Sequence, residues 1–137
     1  MIAQTQCTSF KAELYQGVHN LLTDNIYIAL YTSSASLDQN TTVYTSVGEV
    51  VDAAYTTGGQ RLLGVTVNSS GYTAYVSFNN PSWSGTITAR GALIYNKSKG
   101  NKAIAVLDFG ADKTSTMAFT VTLPANTADS ALIRSSN

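Results

Sequence analysis

Beyond residue 25 the chain is cut at regular intervals by clusters of Gly, Asn, Asp, Ser and Pro, and the runs between the cuts are short and rich in β-branched and aromatic residues. That pattern leaves no room for a second helix and predicts strand after strand. Ile26 to Tyr31, bounded by Asp24-Asn25 and Ser33-Ser34, is apolar throughout, as expected of a central strand covered on both faces. Arg61 to Val67 and Tyr72 to Phe78 flank the turn signature Asn68-Ser69-Ser70-Gly71, with Tyr72, Ala74, Val76 and Phe78 alternating onto one face. Asn79-Asn80-Pro81 breaks the ladder, Thr86 to Asn96 resumes it as the longest expected strand, and Lys97 to Asn101 reads as a loop. Ala103 to Phe109, Ala118 to Leu123 and Ala131 to Arg134 bring the set to about seven or eight strands.

The segment before residue 25 has a different period. Phe10, Leu14, Val18, Leu21 and Leu22 fall on one helical face, so a helix is expected over 8–22, capped by Thr8 or Ser9. Glu13 suits its positive end, Gly17 weakens it by about 1 kcal/mol, and Thr23-Asp24-Asn25 ends it.

With neither repeat nor linker, residues 1–137 are expected to form a single domain. Its fold class is mainly β: an antiparallel β-sandwich of jelly-roll or immunoglobulin-like type, built from 26–32 and 61–134, with one α-helix before it. Residues 33–59 are mostly small and polar and end in Gly58-Gly59, which predicts a long excursion with one short strand near Val43 to Val47. Such a segment buries too little apolar area to offset its own ordering, so it is expected to order against a neighbouring subunit. Leu37, Val43, Tyr44, Val47 and Val50 are its candidate anchors.

Charge narrows the partners. Eight basic and eight acidic residues cancel, charged residues are only 12% of the chain, and none cluster, so the electrostatic drive for nucleic acid or acidic membranes is missing. Ser and Thr make up about a quarter of the sequence, giving a polar, weakly charged surface suited to an assembly. No stretch approaches a membrane span, and the opening residues lack the basic and apolar regions of a secretory leader. Production in a cytoplasm-like compartment is the expectation, and the triplets at Asn40, Asn68 and Asn96 then read as turn chemistry rather than glycan acceptors.

The inventory for catalysis is thin: one His, one Cys and eight carboxylates in no catalytic spacing. No enzyme activity, cofactor or metal is expected. His19 reads as a surface or interface residue, and Cys7 has no nearby cation to lower its pKa. Asp108 and Asp112 around Gly110 read as turn caps, because the further oxygen ligands of a calcium loop are missing. Arg90, inside an apolar strand, must pair with a carboxylate such as Asp108 or reach a neighbouring subunit. Trp83, after Pro81, is expected in the core, and about half of the eight tyrosines at interfaces.

The run Thr88-Ala89-Arg90-Gly91-Ala92-Leu93-Ile94-Tyr95-Asn96 carries a resemblance, together with Val106-Leu107-Asp108-Phe109-Gly110, Tyr55-Thr56-Thr57-Gly58-Gly59, Ala131-Leu132-Ile133-Arg134, the Phe10 to Asn20 segment and the strand Ile26 to Tyr31. Across nearly its whole length the chain resembles a family of small virion structural proteins of tailed bacteriophages. It departs at Val51-Asp52-Ala53-Ala54, where a Gly-containing turn is expected. The resemblance implies a virion component working through subunit contacts: a capsid-decorating protein, or a neck or tail component. Its partners would be itself, as a dimer or trimer, and the major capsid or neck and tail proteins. A carbohydrate-binding sandwich module is the reading of a different class, favoured by the tyrosines.

Overall fold

The structure, a computed structural model, describes residues 1–136; Asn137, the last residue of the expected domain, lies outside them. It is mainly β, 40% strand and 8% helix, with one helix near the start and antiparallel sheets in a sandwich-like arrangement.

Helix α1 spans Thr8–Tyr15 and stops well short of the expected Leu22. Gly17 is the reason. It adopts φ +71°, the Gly17 N–H donates to the Leu14 carbonyl (3.2 Å), and the Val18 N–H donates to that of Glu13 (3.0 Å). This is the left-handed glycine stop that satisfies the last carbonyls of a helix, so Gly17 terminates the helix instead of weakening its middle. Cys7, not Thr8 or Ser9, holds the N-cap position and makes no side-chain cap. Phe10 is the residue the helix buries.

Among the described residues ten strands form three sheets, with α1 between the first strand and the second. The largest has the order β1-β8-β7-β2-β3, formed by β1 (Thr5–Gln6), β2 (Ile26–Tyr31), β3 (Gln60–Arg61), β7 (Thr88–Asn96) and β8 (Lys102–Thr114). A second has the order β10-β5-β4, with β4 (Thr66–Ser70), β5 (Thr73–Ser77) and β10 (Ile133–Ser135); β6 (Ser82–Ser84) and β9 (Ala118–Thr120) pair separately. The longest strand is β8 rather than β7, because it continues past the sheet's centre through irregular register opposite Arg90. The strand expected over Arg61 to Val67 is split at Gly64 (φ +68°), leaving β3 in the large sheet and passing β4 to another. The hairpin turn is Gly71-Tyr72, with Ser70 paired to Thr73, so Asn68 to Ser70 belong to the strand.

Pairing of Ile28 with Ile94 and of Ile94 with Ala105 sets Ile26, Ile28, Leu30, Ala92 and Asn96 on the same face. The opposite face holds Tyr27, Ala29, Tyr31, Gly91, Leu93, Tyr95 and Val106. Both are covered, which is why β2 and β7 read as unbroken apolar runs. On the first, Ile94 lies beside Val76 and Ile133 of the three-stranded layer and Phe78 and Leu123 next to it, and α1 lies along β8. Burial of each such Ile or Leu contributes about 1.5–3 kcal/mol.

The second face is covered by the 33–59 excursion, which is therefore folded onto its own domain. Leu37 and Val50 are 1% and 2% exposed within the core, and the strand expected near Val43 to Val47 is reduced to one bridge between Val43 and Lys102. The Tyr44 ring stacks on Tyr95 with centroids 4.8 Å apart. Farther along, Tyr55 lies 6.1 Å from Trp83 of the two-stranded sheet, and Trp83 is buried as expected. Val51-Asp52-Ala53-Ala54 turns without glycine, closed by the Tyr55 N–H donating to the Asp52 carbonyl at 3.0 Å.

Candidate functional site

The most elaborate chemistry in the molecule is a buried carboxylate among phenols. Glu49 is 6% exposed, and among the described residues no cation pairs with it. Its Oε1 accepts from the Tyr44 hydroxyl at 2.5 Å, and its Oε2 accepts from the Tyr55 hydroxyl and, at 2.7 Å, from the Gly58 N–H. Three donors offset the cost of taking a carboxylate out of water. The same network is tied to the sheet. The Leu30 N–H of β2 donates to the Tyr55 oxygen (3.0 Å), the Tyr95 hydroxyl of β7 donates to the Gly58 carbonyl (2.6 Å), and the Tyr31 hydroxyl donates to the Thr45 carbonyl (2.5 Å). Desolvation, helped by the Glu49 charge, pushes the Tyr95 phenol up to about 12 and those of Tyr31, Tyr44 and Tyr55 higher still. These phenols stay protonated and serve as donors. The arrangement clamps the excursion to β2 and β7.

A second network lies on the other face of those strands, around Asn96 at the end of β7. The Asn96 Oδ1 accepts from the Ser98 N–H (3.1 Å), which orients the amide so that Nδ2 donates to Asp24 Oδ2 (2.8 Å) and to His19 Nδ1 (2.9 Å). With Nδ1 accepting, the His19 Nε2–H donates to Glu13 Oε1 at 2.8 Å. His19 is thus an interior residue, not a surface one, and both ring nitrogens are engaged within the fold. Desolvation pushes Asp24 up, but the Asn20 N–H, the Asn96 amide and Lys99 outweigh it and hold the carboxyl below the usual range. Burial pushes the Cys7 thiol up to about 12, with Asp38 and Glu13 adding to the effect. That is the opposite of an activated thiolate.

Arg90 pairs with Asp108, Nε to Oδ1 at 3.4 Å, but the side chains are 36% and 30% exposed. The buried charge expected there is absent, and the pair is worth less than about 1 kcal/mol. Asp108 also caps a turn, accepting from the Gly110 N–H at 2.9 Å, whereas Asp112 takes no part in the contact. Beside this pair an open cleft of about 540 Å³ runs between the outer half of β8 and β9, lined by Asp108, Phe109, Lys113 and Phe119 among others. No polar side chain buried in its walls converges on a common point. Among the described residues no group of three His, Cys, Asp or Glu is placed to hold a metal.

Of the five anchors expected for a neighbouring subunit, Leu37 and Val50 are in the core of this chain and Tyr44 belongs to the Glu49 network. Val43 and Val47 face outward, 48% and 75% exposed. Among the tyrosines, only Tyr15 and Tyr72 stand largely free, at the end of α1 and at the turn between β4 and β5. Glu49, Tyr55 and Gly58 were not among the sequence candidates. Their spacing follows no helical or strand period, and the one hint is that one of only two glutamates in the chain lies between two tyrosines.

Among the described residues no helix is long and apolar enough to cross a membrane. Comparison of the chain with protein-family models, with curated proteins and with solved structures gives no match.

Proposed function

We propose that this chain is a non-enzymatic structural subunit of a tailed-phage particle, assembled in the host cytoplasm, which decorates and stabilises the capsid by packing against copies of itself and its neighbours. The observation that carries this reading is a division of labour between inside and outside. The interior polar groups bind one another, with His19, Glu49 and Asp24 each held by partners from this chain. Among the described residues ten large apolar side chains remain outside, and six of them fall on two peripheral segments, Val43, Val47 and Val51 on the excursion and Leu63, Val67 and Tyr72 on and before the β4-β5 hairpin; Met1, Tyr15, Leu22 and Met117 lie elsewhere. A surface with zero formal charge that presents such residues favours association.

A neck or tail position would use the same contacts. A glycan-binding face is less well supported, because Tyr15 and Tyr72 lie on separate elements and form no aromatic platform. Immunogold labelling of purified particles tests the reading. Label distributed over the head is the expected result, label confined to neck or tail moves the subunit there, and particles free of the protein overturn it.

A further inference from the structure

The β4-β5 hairpin is unlike the rest of the molecule. Every residue of β4, Thr66–Ser70, is exposed, and β4 is the outer strand of its sheet. Register defines which backbone groups are free. Ser70 and Thr73 close the two-residue turn and form a hydrogen-bonded pair, so Asn68 and Thr66 also bond inward to β5. The N–H and C=O groups of Val67 and Ser69 therefore point away from β5. Among the described residues no hydrogen bond outside the β4-β5 ladder engages them.

Exposed edges are normally protected by charge, proline, bulges or brevity. The other free edges here follow that rule: β1, β6 and β9 are only two or three residues long, β3 is two residues long and carries Arg61, β10 is three residues long and carries Arg134, and the outer half of β8 carries Asp108, Asp112 and Lys113. β4 has none of these devices. It is five residues long with an unbroken register, and the whole stretch 62–89 around it contains no charged residue.

We propose that β4 is a self-pairing edge, adding antiparallel and two-fold to β4 of a second copy of this chain. The electrostatics favour a like partner, since a neutral edge meets its own image with no repulsion, and antiparallel strands related by a two-fold are self-complementary. A two-fold axis at Asn68 pairs Val67 of each copy with Ser69 of the other and satisfies all the outward groups of both. The three-stranded layers then join into one sheet running β10-β5-β4-β4-β5-β10. Val67, 49% exposed in the single chain, gains cover. An edge contact of this size falls below the roughly 1,200 Å² of the smallest stable interfaces, so pairing is weak in dilute solution and strengthens at the local concentration of an assembly.

This rests on the structural-subunit reading only in naming one of its contact surfaces, and it is tested on the purified protein without any particle. Sedimentation velocity from micromolar to millimolar protein is expected to show reversible dimerisation. Ser69→Pro removes an outward N–H without touching a β4-β5 bond and should weaken association by roughly tenfold or more. Val67→Lys places a charge on the edge and should do the same, keeping the test valid if Ser69→Pro loosens the hairpin. Tyr15→Ser, at the exposed end of α1, should leave association unchanged. A wild-type protein that stays monomeric, a dimer that tolerates both edge substitutions, or equal losses in all three variants would overturn the proposal. None of those outcomes bears on whether the protein is found in particles, which the labelling decides separately.

Discussion

Residues 33–59 and the β4-β5 hairpin are both polar, Thr- and Ser-rich segments, yet the first is packed down and the second stands out. The excursion contains few large residues, but Leu37, Glu49, Val50 and Tyr55 all end in the interior. The hairpin has regular strands and period-2 alternation, yet β4 is exposed along its whole length. Average polarity therefore does not decide which segment is buried. What decides it is whether a few groups find partners on the sheet: within the excursion Glu49 accepts from Tyr44, Tyr55 and Gly58, and Tyr55, Gly58 and Thr45 in turn accept from Leu30, Tyr95 and Tyr31 of β2 and β7.

The sharpest way to break the contrast is to lift the excursion off. Gly59, at φ +78°, lies so close to β2 that a Cβ there would come within 1.8 Å of the Ile28 carbonyl oxygen. Gly59→Ala should cost roughly 3 kcal/mol or more, from both the left-handed backbone and the forced separation. Chemical denaturation with hydrogen exchange over 33–59 would show it; an unchanged midpoint would mean that the excursion is not seated on β2.

A narrower cut removes one hydroxyl. Tyr55→Phe leaves the Leu30 N–H unpaired and Glu49 with one donor fewer, and should cost roughly 2–3 kcal/mol. The same variant sharpens the alkaline response. Because the buried phenols have raised pKa values, the unfolded chain loses its tyrosine protons first, near the ordinary value of 10.0, while the folded state keeps them. The folded state then binds more protons, so this contribution is intact below pH 10 and is lost as pH rises toward the Tyr95 value of about 12. Thermal melts between those limits should fall less steeply for Tyr55→Phe than for the wild type. Equal slopes would show that Tyr55 ionises as freely when folded as when unfolded.

On the hairpin the corresponding change should do little. Tyr72 is 87% exposed, and Tyr72→Ser should shift monomer stability by no more than about 0.5 kcal/mol. A larger loss in a melting experiment would mean that the turn packs against something in the single chain.

The positions of β2, β5 and β7, the mainly β class and the doubly covered β2 were legible in the sequence, because alternation, turn residues and apolar runs are local consequences of pleat geometry and backbone preference. The end of α1 was written in Gly17, but helical spacing continues beyond it in Leu21 and Leu22, and only the left-handed turn shows that the face is interrupted. Arg90 could be matched to Asp108 from charge alone, whereas their exposure depends on the irregular register of β8. The Glu49 network lay beyond local reading. Tyr31 and Tyr95 come from strands far apart in sequence, Tyr44, Glu49 and Tyr55 from an aperiodic segment, and they meet only because β2 pairs with β7 and the excursion crosses both. Local preference chose the elements; the burial of one carboxylate, whose donors lie in the excursion and are themselves held by groups of β2 and β7, was decided by the tertiary structure.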